Sequence, residues 1–116
     1  MAVEENCIGI LWTNTVPNMP PWGGREARLG NNPVVLAIPH GGTPVLVDVA
    51  MSMFSYGKLE SYARSGKELP VDGGYNKEQE ITKNAAEILE THQCIPIGYW
   101  KGSGLSLALD LIAATL

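Results

Sequence analysis

Apolar residues along this chain fall first into short β-branched runs and only later into helical spacing. Residues 7–13, 33–38 and 44–49 are runs of this kind, each bounded by Gly, Pro or Asn. Their length and punctuation predict three core strands. Between the first two lies Pro17-Asn18-Met19-Pro20-Pro21-Trp22-Gly23-Gly24, where prolines remove donors and glycines admit unusual dihedrals, so a shaped loop is expected. Residues 55–65 read as a short helix with Leu59, Tyr62 and Ala63 on one face and Gly66 at its C-terminal stop. A turn-rich connection over residues 70–76 follows. Residues 81–90 then predict a second short helix, with Thr82 as its cap and Ala85, Ala86, Ile88 and Leu89 as its apolar stripe. After Pro96, the segment Ile97-Gly98-Tyr99-Trp100-Lys101-Gly102-Ser103-Gly104 leads into a terminal helix over residues 103–116. The pattern is that of a mixed α/β fold.

The terminal helix is apolar on nearly every side and reaches Leu116 with no cap, glycine or closing charge. A helix of that kind needs burial within something larger. The first predicted strand begins only a few residues after Met1. The expectation from both ends is that these residues are a portion of a bigger protein.

Composition narrows the class further. At 116 residues, with 45% hydrophobic and 17% charged positions, the chain is an ordinary globular sequence of one domain at most. Its 13 glycines and 8 prolines exclude a helical bundle. A formal charge of -4, with only 8 Lys and Arg spread along the chain, argues against a nucleic-acid partner. Cys7 and Cys94 match neither a zinc spacing nor a thioredoxin-type pair, so neither metal nor disulfide is expected. Glu4 and Glu5 stand where a secretory leader carries basic residues, and no apolar run approaches the roughly 18 residues of a membrane span. A cytoplasmic, membrane-free protein is the expectation.

Candidate chemistry centres on Trp100-Lys101-Gly102-Ser103-Gly104 at the head of a helix. Glycines there admit close backbone approach, the first helical amides are donors without helical partners, and Lys101 adds a full positive charge beside the dipole's positive end. Chemically this is an anion or phosphate seat, although it matches neither the dinucleotide fingerprint nor the Walker pattern. The plainer alternative is a tight turn before a buried helix. Asp48 is a carboxylate closing the apolar run Val45-Leu46-Val47. It stands either where α/β enzymes present polar groups to ligands or as a cap for the next segment. His40 has the titration range of a general acid but sits in a Gly-Gly loop tip, which favours a surface role, and His92 near the end of a polar helix is weaker still. Trp12, Trp22 and Trp100 suit ring stacking or, more commonly, core packing. No Ser, His and Asp set has a recognisable local context.

The order of several blocks is more specific than any of them alone. Ile8-Gly9-Ile10-Leu11-Trp12-Thr13-Asn14, Met19-Pro20-Pro21-Trp22-Gly23-Gly24, Asn32-Pro33, Val47-Asp48, Ser52-Met53-Phe54-Ser55-Tyr56-Gly57, Leu69-Pro70-Val71-Asp72-Gly73-Gly74-Tyr75 and Gly98-Tyr99-Trp100-Lys101-Gly102-Ser103-Gly104-Leu105 together resemble the malate/L-lactate dehydrogenase family. The resemblance spans essentially the whole chain and corresponds to the middle portion of the family's longer sequence. It implies an α/β NAD(P)-binding domain with a largely antiparallel sheet, distinct from the Rossmann fold. It also implies metal-free reduction of a small 2-oxo or diketo acid by NADH, with NADPH as the other possibility, in a homodimer. Cofactor contacts are implied at Pro44, Val45, Leu46, Val47, Asp48, Val49 and Ala50, and at Trp100 and Lys101. The family's proton donor is a histidine in an N-terminal helical region that neither His40 nor His92 matches, so no catalytic residue is expected here and the chain alone is expected to be inactive. The loop before Pro44, with His40-Gly41-Gly42, looks slightly longer than the family's usual link. Two function classes therefore stand: part of an NAD(P)H-dependent oxidoreductase, or a non-catalytic remnant that only holds a nucleotide or a partner.

Overall fold

The computed structural model describes residues 2–115. After a 3₁₀ turn at Ala2–Glu5, the three apolar runs form strands β1 (Gly9–Trp12), β2 (Val34–Ile38) and β3 (Val45–Val49). They make an antiparallel sheet in the order β1-β2-β3. Each predicted strand is present, the first losing Cys7, Ile8 and Thr13 and the other two their leading prolines. The link between β2 and β3 turns at Gly42, whose φ of 96° lies in a region that glycine enters without steric cost. Pairing of Leu11 with Val35 and of Val35 with Asp48 puts these three on one face, while Trp12, Val34 and Val49 share the other. On that second face, Trp12 and Val34 pack against a core of Met19, Leu29, Met51 and Leu109.

A second core lies between α1 (Tyr56–Ser65) and α2 (Ala85–Thr91), around Leu59, Leu69, Ala85, Ile88 and Cys94. Helix α1 begins where the Ser55 hydroxyl accepts the Lys58 amide at 3.3 Å and ends at Gly66 in the left-handed conformation. The predicted start of the next helix is corrected. Ile81–Thr82 is strand β5, paired with β4 (Gly74–Tyr75) inside the segment expected to be a turn-rich connection, and Asn84 caps α2 by accepting the Ala86 amide at 3.0 Å. The carbonyls of Thr82 and Lys83 accept the amides of Gly73 and Leu69, so these residues are engaged across the chain and unavailable to a helical ladder. Thr82 instead accepts the Asn84 amide through its hydroxyl.

A short ladder joins the two cores: the Met53 amide donates to Ile95 and the Ile97 amide to Met51. Helix α3 follows as Trp100–Thr115, about 24 Å long. It starts three residues before the predicted position, and the predicted last residue, Leu116, lies outside the described residues. Gly98 and Tyr99, with φ of 58° and 60°, turn the chain sharply enough for the helix to begin at once.

Much apolar surface is uncovered. Leu46 is 64% exposed, Ile10 62% and Leu111 59%, and every residue of β3 is exposed. The radius of gyration of 15.8 Å exceeds the about 13 Å typical of a compact domain this long. Exposed patches of this kind drive association. The isolated chain is therefore expected to self-associate or to melt without cooperativity. A monodisperse, cooperatively melting monomer in sedimentation velocity and thermal scans would contradict this.

Candidate functional site

Pro44 stands at the end of the β2–β3 link, where it lines a concavity of about 570 Å³ with Glu4, Asn6, Pro39 and His40. Val45, Leu46, Val47, Asp48 and Val49 are the edge strand, and Ala50 is half-buried just beyond it. Asp48 is therefore within the strand, not at its end. Its carboxylate borders a separate concavity of about 330 Å³ walled by Leu11, Trp12, Thr13, Pro33 and Val35. Apart from Thr13 and Asp48 that surface is apolar, a composition suited to the ring and sugar hydroxyls of a nucleoside.

Trp100 and Lys101 open α3, fifty residues further along. The ladder that joins the cores brings the two segments together: the Ile97 amide donates to Met51 at 2.7 Å, which sets the end of the 44–50 segment beside the turn leading to Trp100. Pro44 lies at the far end of β3, about 20 Å away by strand rise. Along β3 the candidates alternate between faces, with Val45, Val47 and Val49 on the face that Trp12 and Val34 share and Leu46 and Asp48 on the other. Trp100 is 63% exposed, and the Lys101 ammonium lies 5.6 Å from its ring centroid. A cation so placed is drawn to the ring face.

The helix head differs from an amide-lined anion seat. The amides of Lys101, Gly102 and Ser103 already donate to the carbonyls of Gly98, Ile97 and Tyr99 at 3.2, 2.9 and 3.3 Å. The two glycines lie inside the helix. Gly102 is buried against Ile97, whose carbonyl and side chain fill the space a Cβ would take. Positive charge at this end comes from the Lys101 side chain, with the dipole behind it.

The contacts of two residues, Trp22 and Asn32, had no clear signal in the sequence. The Trp22 amide donates to the Ser103 hydroxyl at 3.0 Å, and the Trp22 ring meets that of Tyr99 at 4.7 Å between centroids. Fully buried Asn32 reaches Ser106 and Asp110 on α3, fastening the helix to the chain entering β2. Ser106 and Asp110, four residues apart in the apolar middle of the helix, were the available hint, because that spacing places both on one face.

The other candidate reactive side chains are His40, His92 and Cys94. His40 is exposed at its loop tip. His92 ends α2 in the left-handed conformation, with Nδ1 3.2 Å from the Tyr56 hydroxyl. Burial pushes the Cys94 thiol up to about 12, against a smaller lowering by its hydrogen bond with Tyr56, and also raises the Tyr56 phenol. A thiol so held is a poor nucleophile at neutral pH. Among the described residues, no cluster of three or more His, Cys, Asp or Glu is arranged to hold a metal ion, and no helix is long and apolar enough to cross a membrane.

The family model described as malate/L-lactate dehydrogenase matches residues 1–116. Over 116 residues the chain is 53% identical to the 2,3-diketo-L-gulonate reductase of Salmonella typhi, covering 99% of this chain and 34% of that protein. It thus spans about a third of the length of the curated relatives it matches. Its fold is similar to that of a dehydrogenase from Sinorhizobium meliloti, with TM-score 0.87 and 32% identity over 99% of this chain and 34% of that one. It is also similar to delta1-piperideine-2-carboxylate reductase from Pseudomonas syringae pvar. tomato, with TM-score 0.89 and 29% identity over 96% of this chain and 34% of that one.

Proposed function

The chain belongs to the malate/L-lactate dehydrogenase family, and from that premise we propose that it is the cofactor-contacting part of an NAD(P)H-dependent oxidoreductase that reduces 2,3-diketo-L-gulonate to 3-keto-L-gulonate. The observation that carries this reading is the 2.7 Å bond from the Ile97 amide to the Met51 carbonyl, which joins the 44–50 segment to the Trp100–Lys101 head of α3. On this reading the two segments divide between them the contacts a dinucleotide requires. The Lys101 ammonium meets its diphosphate, Asp48 accepts from sugar hydroxyls, and the exposed edge strand from Val45 to Val49 supports the body of the molecule along its length. The bound nicotinamide supplies the hydride. Proton delivery to the reduced oxygen falls to the family's histidine, contributed from outside these residues. A cytoplasmic homodimer is part of the same reading, and the exposed apolar surfaces of the sheet and α3 favour pairing.

The family model's own description favours a second reading, malate/L-lactate-type dehydrogenase activity on a simpler 2-oxo acid. A panel of diketo and 2-oxo acids separates the two.

Substituting Lys101→Ala in the full-length protein carrying this segment is expected to weaken NADH binding by about 1–3 kcal/mol, or roughly 5- to 150-fold in Kd. Fluorescence titration with NADH measures the change. An unchanged affinity would remove Lys101 from the site.

A further inference from the structure

We propose that Trp22 is a positioning residue for the cofactor contacts at the head of α3, acting through Tyr99 and Ser103 on Trp100 and Lys101; the inference rests on the cofactor reading above. Tyr99 has a φ of 60°, a conformation that a bulky side chain holds only under constraint. Several constraints converge there. The Tyr99 amide donates to Pro96 at 3.0 Å, the Ser103 amide donates to Tyr99 at 3.3 Å, and the Trp22 ring lies against the Tyr99 ring, tilted by 52°. The Trp22 amide also donates to the Ser103 hydroxyl at 3.0 Å. One residue of a distant loop thereby holds both the turn before the helix and its first turn.

The loop that presents Trp22 is firmly based. Met19 and Pro20 are fully buried, and Met19 exchanges amide–carbonyl bonds with Leu29 at 3.0 Å in each direction. The Gly24 amide then closes a tight turn onto Pro21 at 2.7 Å. Trp22 itself is 41% exposed, so it is not a core-filling residue. Trp100 and Lys101 follow Tyr99 directly and are exposed, so the direction in which they project is set by the backbone that Trp22 and Ser103 hold.

The test uses the full-length protein carrying this segment, with KM for NADH, kcat and melting temperature measured together. Trp22→Ala is expected to raise KM for NADH about 5- to 10-fold with kcat within about twofold, because misplacement of binding groups weakens the contact they make. Trp22→Phe, which keeps a ring against Tyr99, is expected to recover most of the loss. In a Lys101→Ala background, Trp22→Ala is expected to add less than about twofold, since a residue acting through another has no effect once that other is gone. Ser103→Ala, which removes only the hydrogen bond, is expected to raise KM by about 2- to 3-fold and serves if Trp22→Ala fails to fold. An unchanged KM in Trp22→Ala or Ser103→Ala, no recovery in Trp22→Phe, or full additivity with Lys101→Ala, which would mean that Trp22 touches the cofactor independently, overturns the proposal. If Lys101→Ala itself leaves KM unchanged, the cofactor reading fails and takes the inference with it. If Lys101→Ala is impaired and Trp22→Ala is not, the inference alone fails.

Discussion

In the full-length protein carrying this segment, replacing Asn32 by alanine is expected to lower stability by on the order of 3 kcal/mol. The residue is fully buried, and its amide nitrogen is shared among the Ser106 carbonyl at 3.2 Å, the Ser106 hydroxyl at 3.1 Å and Asp110 Oδ1 at 2.8 Å. Its carbonyl oxygen accepts the Thr15 amide at 3.0 Å. The Ser106 hydroxyl donates onward to Gly30 at 2.7 Å, and Gly30 approaches Asn32 and Thr15 too closely for any Cβ to be accommodated. Alanine leaves the Thr15 amide and the Asp110 carboxylate without these partners and opens a cavity besides. Asn32→Asp is a sharper probe, since it keeps the shape and the acceptor for Thr15 but turns an oxygen toward Asp110. Two carboxylates in contact cannot both ionise, so at least one folded-state pKa is raised above its unfolded value. That contribution holds at low pH and is lost as pH rises through the raised pKa, so Asn32→Asp should be more destabilised at neutral pH than in acid. Urea denaturation of the full-length protein carrying this segment, followed across pH, reads both effects, and an unchanged midpoint in Asn32→Ala would mean that α3 is not fastened through this residue.

The elements legible from sequence are those decided locally. The apolar runs of β2 and β3 lie between prolines and glycines that cannot continue a ladder, and their observed ends differ from the predicted ones by one residue at most. Gly66 marked the end of α1 because a residue without Cβ enters the left-handed conformation by short-range chemistry, whereas Ser55, read as the first helical residue, is the N-cap. Thr82 was misplaced as a cap because its segment is claimed by Gly73 and Leu69, partners that local spacing does not reveal. The early start of α3 was hidden for a similar reason. Tyr99 is an unlikely left-handed residue on its own, and what holds it there includes Trp22, seventy-seven positions earlier. Gly102 and Gly104 suggested either close backbone approach to a ligand or a tight turn before the helix, whereas Gly102 serves helix packing against Ile97. Family membership was legible over the whole chain because it rests on the order of many short blocks, none of which has to fold as predicted.

The second large effect concerns turnover. Carbonyl reduction requires a hydride placed against the carbonyl carbon and a proton for the developing alkoxide, and the general acid typically contributes about 100- to 10,000-fold. His40 is exposed on a loop tip, and His92 is engaged with Tyr56 at the end of α2. Neither stands at the head of α3. The chain alone is therefore expected to oxidise no NADH in the presence of 2,3-diketo-L-gulonate, even where weak cofactor binding survives. A chimera in which it replaces the matching segment of the Salmonella typhi reductase, with which it shares 53% identity, is expected to turn over. His40→Ala in that chimera should leave the rate nearly unchanged. The decisive measurement is the loss of NADH absorbance for the chain, the chimera and the His40→Ala chimera, side by side. Turnover by both chimeras and none by the chain is the predicted result; robust turnover by the chain alone, a folded but inactive chimera, or collapse of the rate in His40→Ala would contradict it.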